Sequence, residues 1–160
     1  MFAADAAGAW LNGAPMRSRA VADERRATLI TGYPVARDLC LDGQERALAG
    51  FGELVETFST LRRPGSAALS IAQVAAGWAD AACGFGDNPW DVTAAILILR
   101  RAGGRYRPLS QGKVARDAPA HLCPGYAATG AGADYPTLDR VADGISEGRI
   151  AAAARASSVA

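Results

Sequence analysis

The sequence predicts a layered α/β domain, because segments typical of strands alternate with segments typical of helices along its 160 residues. Half of the residues are apolar, which allows a chain of this length to bury one sizeable core. No internal repeat interrupts the alternation. We therefore expect a single domain over residues 1–150, followed by an Ala- and Ser-rich tail, residues 151–160, that frays.

The strand signals are short apolar or β-branched runs bounded by turn residues. The Asn12-Gly13 pair predicts a tight hairpin near the N-terminus, and residues 27–33 form a buried-strand pattern that Pro34 stops. Further strands are expected at residues 78–85, at 105–109 and within 119–129.

The helix signals are apolar residues that recur every three or four positions, together with helix-starting and helix-ending residues. Residues 44–61 show this spacing, and residues 67–77 form a small, apolar run that follows a Pro-Gly-Ser turn and ends on glycine. Residues 88–101 begin with Asn-Pro and are apolar nearly all round, so we expect this helix at the centre of the fold. A last helix is expected from Pro136.

The charge balance argues against polyanionic partners. Lys and Arg total 17 against 16 Asp and Glu, a net charge of +1, so we expect no nucleic-acid partner and no membrane partner. No apolar run approaches the length of a membrane span, and the N-terminus lacks a signal-peptide pattern. We therefore expect a cytoplasmic protein whose partners are small molecules or protein.

The cysteines and the single histidine argue against disulfides and histidine-based chemistry. Cys40, Cys83 and Cys123 are odd in number and widely spaced, which fits buried free thiols better than a disulfide framework or a zinc site. His121 has no partner motif nearby, so we assign it a structural role.

The most informative pattern starts at Gly86 and continues through the apolar helix. Trp90-Asp91 is followed by Ala94-Ala95 and by Ala-Gly-Gly at residues 102–104. Four further short motifs precede this pattern in the chain: Gly-Ala-Trp-Leu-Asn-Gly at 8–13, Thr-Gly-Tyr-Pro at 31–34, Gly-Ser-Ala-Ala at 65–68 and Ala-Ala-Gly at 75–77. Together these motifs resemble the C-terminal signature of the inositol monophosphatase family.

The resemblance implies the C-terminal half of a carbohydrate-phosphatase fold. It also implies a magnesium-dependent phosphomonoester hydrolase that acts on a small sugar or cyclitol phosphate. Asp91 matches the family's metal-ligating aspartate, and Gly65, Ser66 and Ala67 match the turn that approaches the sugar ring. The residues alone leave plainer roles open, because Asp91 also suits the first turn of a helix and Gly65-Ser66 also suits an ordinary helix N-terminus.

Two departures from the family pattern bear on activity. The glutamate ligand and the Asp-Gly-Thr-type loop of the family's first half have no counterpart in this sequence. Seven residues before Asp91, where inositol-specific members carry a glutamate, this chain has Gly84, which argues against inositol itself as the substrate, although Asp87 is near enough to compensate. Because one carboxylate holds Mg²⁺ weakly, we expect the chain to be weak or inactive alone. We also expect it to self-associate or form a homodimer through a face built for the first half.

The alternative is a non-catalytic remnant or binding module that keeps the family fold. The DNA upstream of Met1 separates the two hypotheses, since residues 1–4 resemble the middle of a family strand. An upstream open frame with the first-half motifs would favour the enzyme, and its absence would favour the remnant.

Overall fold

The computed structural model describes residues 1–158, which form eight strands and five α-helices. The strands are β1 (Phe2–Ala4), β2 (Ala9–Leu11), β3 (Ala14–Pro15), β4 (Thr28–Thr31), β5 (Thr60–Arg62), β6 (Ala81–Phe85), β7 (Arg105–Leu109) and β8 (Gly125–Thr129). The helices are α1 (Ala36–Asp42), α2 (Gln44–Thr57), α3 (Ala67–Ala75), α4 (Pro89–Arg101) and α5 (Pro136–Ser157).

A five-stranded mixed sheet in the order β5-β4-β6-β8-β7 forms the centre of the molecule. Strand β4 pairs in parallel with β5 and with β6, whereas β8 pairs antiparallel with β6 and with β7. Strands β1, β2 and β3 form a separate antiparallel sheet that contacts α4. Because β4, β5 and β6 run parallel to one another, they end at the same edge of the large sheet.

Apolar side chains cover both faces of the large sheet. On one face, Ile71 and Leu99 belong to a buried cluster that joins the sheet to α3 and α4. On the other face, Leu54 and Leu138 belong to a second cluster that joins it to α2 and α5. The order of layers is helix, sheet, helix, sheet, which confirms the layered α/β class predicted from the sequence.

The turn residues and helix starts set most element boundaries as expected. Asn12 and Gly13 have φ values of 51° and 84°, the left-handed pair that a tight hairpin between β2 and β3 requires. Strand β7 occupies the predicted residues, and α3, α4 and α5 begin beside the predicted Ser66, Asn88 and Pro136. These predictions are confirmed.

The region between β4 and α3 differs from the prediction. Helix α2 ends at Thr57 rather than at residue 61, because the backbone of Phe58 is already extended, with φ −83° and ψ 140°. Leu61 instead lies in β5, beside Leu29 of β4. Helix α1 was not predicted, since Asp38 is its one buried residue and it has no apolar stripe.

Helix α4 lies between the large sheet and the small sheet, as a central helix should, and one side of it has no cover among residues 1–158. Val92, Ala95, Ile96 and Leu99 are buried. Trp90 and Leu97 are 79% and 45% exposed, and with Ala94 they follow the four- and three-residue spacing of one helical face. Apolar composition alone does not reveal which side of a helix finds a neighbour.

The C-terminal segment is helical over the residues that the structure describes. Helix α5 continues to Ser157, and residues 151–157 are exposed on its surface. Four consecutive alanines explain the continuation, because alanine has the highest helix propensity. Val159 and Ala160, the end of the tail expected to fray, lie outside the described residues.

All three cysteines are free, and Cys83 and Cys123 are buried as expected. Cys40 is exposed, which corrects its assignment as a buried thiol, because it lies on the outward side of α1. None of the helices in residues 1–158 combines the length and the apolar character needed to cross a bilayer.

Candidate functional site

A cavity of about 220 Å³ opens at the edge where the parallel strands end. The segments that follow β4, β5 and β6 all contribute to its wall, and Tyr126 of β8 closes one side. Loops at the carboxyl ends of parallel strands are the usual place for ligand sites in α/β sheets. The cavity is therefore the candidate site of this fold.

The predicted substrate residues Gly65, Ser66 and Ala67 line this cavity. Gly65 has a φ of 78°, a left-handed conformation that favours glycine, and it connects β5 to α3. Ser66 is the N-cap of α3, since its Oγ accepts a hydrogen bond from the Leu69 amide at 3.3 Å. The turn thus has a structural role as a helix start, and its proposed contact with a substrate remains a prediction.

Asp91, the predicted metal ligand, lies in the first turn of α4 and not among the residues that line the cavity. Its Oδ2 accepts hydrogen bonds from the backbone amide and the side-chain amide of Asn88, each at 3.1 Å. Asp91 therefore acts as a helix-capping side chain, in addition to the favourable first-turn charge that the sequence left open as its plainer role.

Two carboxylates line the cavity, Asp38 and Asp87, and Asp38 is paired with Arg37 and Arg149. Burial raises the pKa of Asp87 to about 6, and the negative charge of Asp91 adds to the rise, while the Gly86 amide and Arg37 oppose it. Its Oδ2 is shielded from solvent and has no hydrogen-bond partner among residues 1–158. The site therefore holds a partly buried carboxylate whose hydrogen bonding is incomplete.

Three other ionisable groups of the cavity wall resist ionisation because they are buried. Burial raises the pKa of the Cys83 thiol to about 12. The pKa values of Tyr126 and Tyr33 also rise, mainly through burial and further through the nearby carboxylates of Asp87 and Asp42, respectively. None of these three side chains is a candidate nucleophile near neutral pH.

A buried ion network supports the floor of the site. The Arg149 guanidinium donates to Asp38 Oδ1 at 2.9 Å and to both oxygens of Asp42 at 2.7 Å. It also donates to the carbonyl of Phe85, the last residue of β6, at 2.6 Å. Arg37, which is half exposed at the cavity, donates to the same carbonyl at 3.2 Å. The two arginines together hold the end of β6 and the loop that carries Asp87.

Sequence reasoning missed this network, and it did not assign Arg37 to the site. The partners of Arg149 lie 107 and 111 residues away in the chain, so no local motif connects them. The signal available in the sequence was weaker: Asp38 and Asp42 are spaced i, i+4 on a short helix, where their carboxylates share a face.

No group of three or more His, Cys, Asp or Glu side chains in residues 1–158 is arranged to hold a metal ion. Asp87 and Asp91 are close enough for the charge of Asp91 to raise the pKa of Asp87. Two neighbouring carboxylates are suitable hard ligands for Mg²⁺, but they make up only part of a ligand set.

Comparison with known proteins identifies the family. The sequence profile of the inositol monophosphatase family matches residues 1–155. The chain therefore belongs to the inositol monophosphatase family.

Relatives within the family carry two kinds of name. The chain is 37% identical over 102 residues to the inositol-1-monophosphatase of Synechocystis, an alignment that covers 64% of this chain and 34% of that protein. It is 40% identical over 97 residues to the Nus factor SuhB of Pseudomonas aeruginosa, covering 61% of this chain and 35% of the relative.

A solved structure of the family shares the fold. The inositol monophosphatase of Anabaena superposes with a TM-score of 0.68 and 27% sequence identity, covering 88% of this chain and 54% of that protein. The chain thus spans about a third of the length of the two curated relatives and about half of the solved one.

Proposed function

We propose that this chain provides one half of a magnesium-dependent phosphomonoesterase that acts on a small sugar or cyclitol phosphate. The observation that carries the proposal is the family match over residues 1–155, combined with a cavity that the family's substrate turn, Gly65 to Ala67, lines. The relative from Synechocystis is named an inositol-1-monophosphatase, which gives the substrate class.

Asp91 supplies one metal ligand in this proposal. Its Oδ2 is occupied by Asn88, which leaves Oδ1 as the oxygen that could face a cation. Bound Mg²⁺ would activate a water molecule and neutralise charge on the phosphate oxygens. The further ligands come from the first-half motifs of the family, a glutamate and an Asp-Gly-Thr-type loop, for which this sequence has no counterpart.

The remaining roles fall to residues of the cavity wall. The left-handed Gly65 has no neighbouring atom within 4 Å of where a Cβ would stand, so a sugar ring can approach the backbone there. The half-exposed guanidinium of Arg37 provides a donor for hydroxyl or phosphate oxygens. The Arg149 network keeps the loop at residues 86–87 in place for both contacts.

The experiment is complementation with the missing motifs. The chain is mixed with the N-terminal half of the Synechocystis inositol-1-monophosphatase, and phosphate release from myo-inositol 1-phosphate and from other sugar phosphates is measured with and without Mg²⁺. We expect no turnover above background from the chain alone, and Mg²⁺-dependent turnover from the mixture that Asp91→Ala abolishes. Turnover by the chain alone that requires Mg²⁺ and Asp91 would contradict the expectation of inactivity, and a mixture that stays inactive would contradict the proposal.

A second candidate function is a binding module that keeps the fold without the chemistry. The capping role of Asp91 and the lack of a three-ligand cluster in residues 1–158 favour it. The relative from Pseudomonas aeruginosa is named Nus factor SuhB, a name that states no enzymatic activity. A complemented mixture that assembles stably but shows no Mg²⁺-dependent turnover would support this function over the first.

A further inference from the structure

Arg149 is a buried arginine whose hydrogen-bond donors are all used inside the protein. Its side chain is 7% exposed, and it is not among the residues that line the cavity. The guanidinium makes three contacts with the carboxylates of Asp38 and Asp42. Its Nη1 donates to the Phe85 carbonyl at 2.6 Å and to Gln111 Oε1 at 2.8 Å. These contacts use every N–H of the guanidinium, so Arg149 has no donor left for a ligand and affects the site only through its neighbours.

Arg37 donates to two of the same acceptors and is more exposed. Its Nη2 lies 3.1 Å from Asp38 Oδ1 and 3.2 Å from the Phe85 carbonyl oxygen. Arg149 donates to these two atoms at 2.9 and 2.6 Å. The Arg37 side chain is 50% exposed at the cavity wall, and one N–H of its Nη1 has no acceptor among residues 1–158. The buried arginine thus makes the shorter contacts, and the exposed one keeps a donor available at the cavity.

The two arginines balance the charge of two buried carboxylates. The side chains of Asp38 and Asp42 are only 3% and 4% exposed. A buried carboxylate without a cation is strongly unfavourable, so such a pair attracts an arginine within reach. Arg149 supplies the buried positive charge, which allows Arg37 to remain half in solvent. Without Arg149, the attraction would act on Arg37, which already contacts Asp38, and would draw its guanidinium away from the cavity.

We propose that Arg149 is a positioning residue that keeps the guanidinium of Arg37 at the cavity wall by neutralising the carboxylates behind it. The use of Arg37 as a donor to substrate oxygens rests on the proposed function. The placement of Arg37 by Arg149 requires neither a metal ion nor turnover.

The test measures how fast Arg37 is modified by phenylglyoxal, an arginine-selective reagent, in the full chain. Peptide mass spectrometry gives the rate at Arg37, with the exposed Arg62 of β5 as the reference in each sample. We expect Arg149→Met to slow the modification of Arg37 severalfold, because the guanidinium turns inward to the uncompensated carboxylates. Arg149→Lys keeps the buried charge and should restore a rate close to that of the wild type.

A control variant separates positioning from a loss of stability. Leu138→Ala removes a fully buried side chain of the same helix, α5, outside the Arg149 network. It loosens the packing, so Arg37 should be modified at the wild-type rate or faster. A merely structural role of Arg149 predicts the same result for Arg149→Met. The proposal is therefore overturned if Arg149→Met leaves the rate at Arg37 unchanged or raises it.

A second variant tests the proposal if Arg149→Met does not fold. Asp38→Asn removes the carboxylate that both arginines share and leaves Arg149 paired with Asp42. Arg37 should then be released into solvent and modified severalfold faster, and an unchanged rate would overturn the proposal. Neither measurement uses the complemented mixture, so a mixture without turnover would contradict the proposed function and leave this result unaffected.

Discussion

At the residue scale, Asp91 is the proposed metal ligand and also a helix-capping side chain, and a stability measurement tests the capping role. As a first-turn charge it should contribute only about 0.3–1 kcal/mol. We expect Asp91→Asn to lower the free energy of unfolding by that amount, because an asparagine oxygen can still accept from the Asn88 amide. Urea denaturation of the two proteins measures the difference, with Asp117→Asn as the control.

Asp91→Ala removes the acceptor altogether and should cost about 1 kcal/mol, the usual value of a lost cap. If Asp91→Asn alone lost several kcal/mol, Asp91 would be a structural anchor and its assignment as a metal ligand would weaken.

Asp87 should make stability depend on pH in the weakly acidic range. Its folded-state pKa of about 6 lies above the ordinary value of 3.8, so the folded protein holds an extra proton between these values. Stability should therefore fall as the pH rises from about 4 to about 6, and this contribution should stay constant above that range.

The pH dependence has a direct test in Asp87→Asn. In this variant the fall in stability with rising pH should disappear, and at pH 7 it should be more stable than the wild type by on the order of 1 kcal/mol. This gain is smaller than the full pKa shift implies, because the side chain is partly exposed. Thermal melts between pH 4 and 7 in metal-free buffer give the comparison. Parallel curves for the two proteins would show that Asp87 does not titrate in this range.

At the element scale, Ser66 caps the N-terminus of helix α3, and removal of its hydroxyl should measurably destabilise the protein. Its Oγ accepts from the Leu69 amide, and we expect Ser66→Ala to destabilise the protein by about 1 kcal/mol. Ser59→Ala is the matched control, because Ser59 is exposed and lies outside any helix. Equal stability of the two variants would show that the turn is held by Gly65 and its left-handed backbone rather than by the cap.

The elements predictable from the sequence are those with local physical signals. Helix α4 begins at Asn-Pro and β7 follows a Gly-Gly pair, and both boundaries are set by backbone preferences of the residues themselves. Helix α1 and strand β5 lack such signals. Helix α1 is held by the buried contact of Asp38 with Arg149, and β5 by pairing in parallel with β4, about thirty residues away.

The residues of the site also divide into those with a local sequence signal and those without one. The Gly65–Ala67 turn could be located by motif, because its glycine and helix cap are local features. The placement of Asp87 over Gly84 could not, since it depends on where Tyr126 and Arg37 stand in the folded chain. Proximity in the sequence suggested only that Asp87 was near enough to matter.

At the scale of the whole molecule, the helical layer carries large apolar side chains that nothing else in residues 1–158 covers. Leu97 and Trp90 of α4 are 45% and 79% exposed, and Leu69 of the neighbouring α3 is 50% exposed. The small sheet of β1 to β3 covers only part of this layer. The chain spans about half of the solved Anabaena relative, and we expect the exposed face to be the surface that receives the other half of the family fold.

This exposure leads to a prediction about assembly. The isolated chain should elute from a size-exclusion column as self-associated species, and it should shift to a defined complex when the N-terminal half of the Synechocystis relative is added.

Leu97→Glu should reduce both the self-association and the complex, because it puts a charge in the middle of the apolar face. Leu48→Glu is the matched control: Leu48 is 47% exposed, almost the same as Leu97, but it lies on α2, on the opposite side of the large sheet. If Leu48→Glu weakened the complex as much as Leu97→Glu, the surface would be misassigned. A chain that stays monomeric, melts cooperatively and ignores the added half would instead indicate an autonomous domain whose exposed leucines and tryptophan serve no assembly.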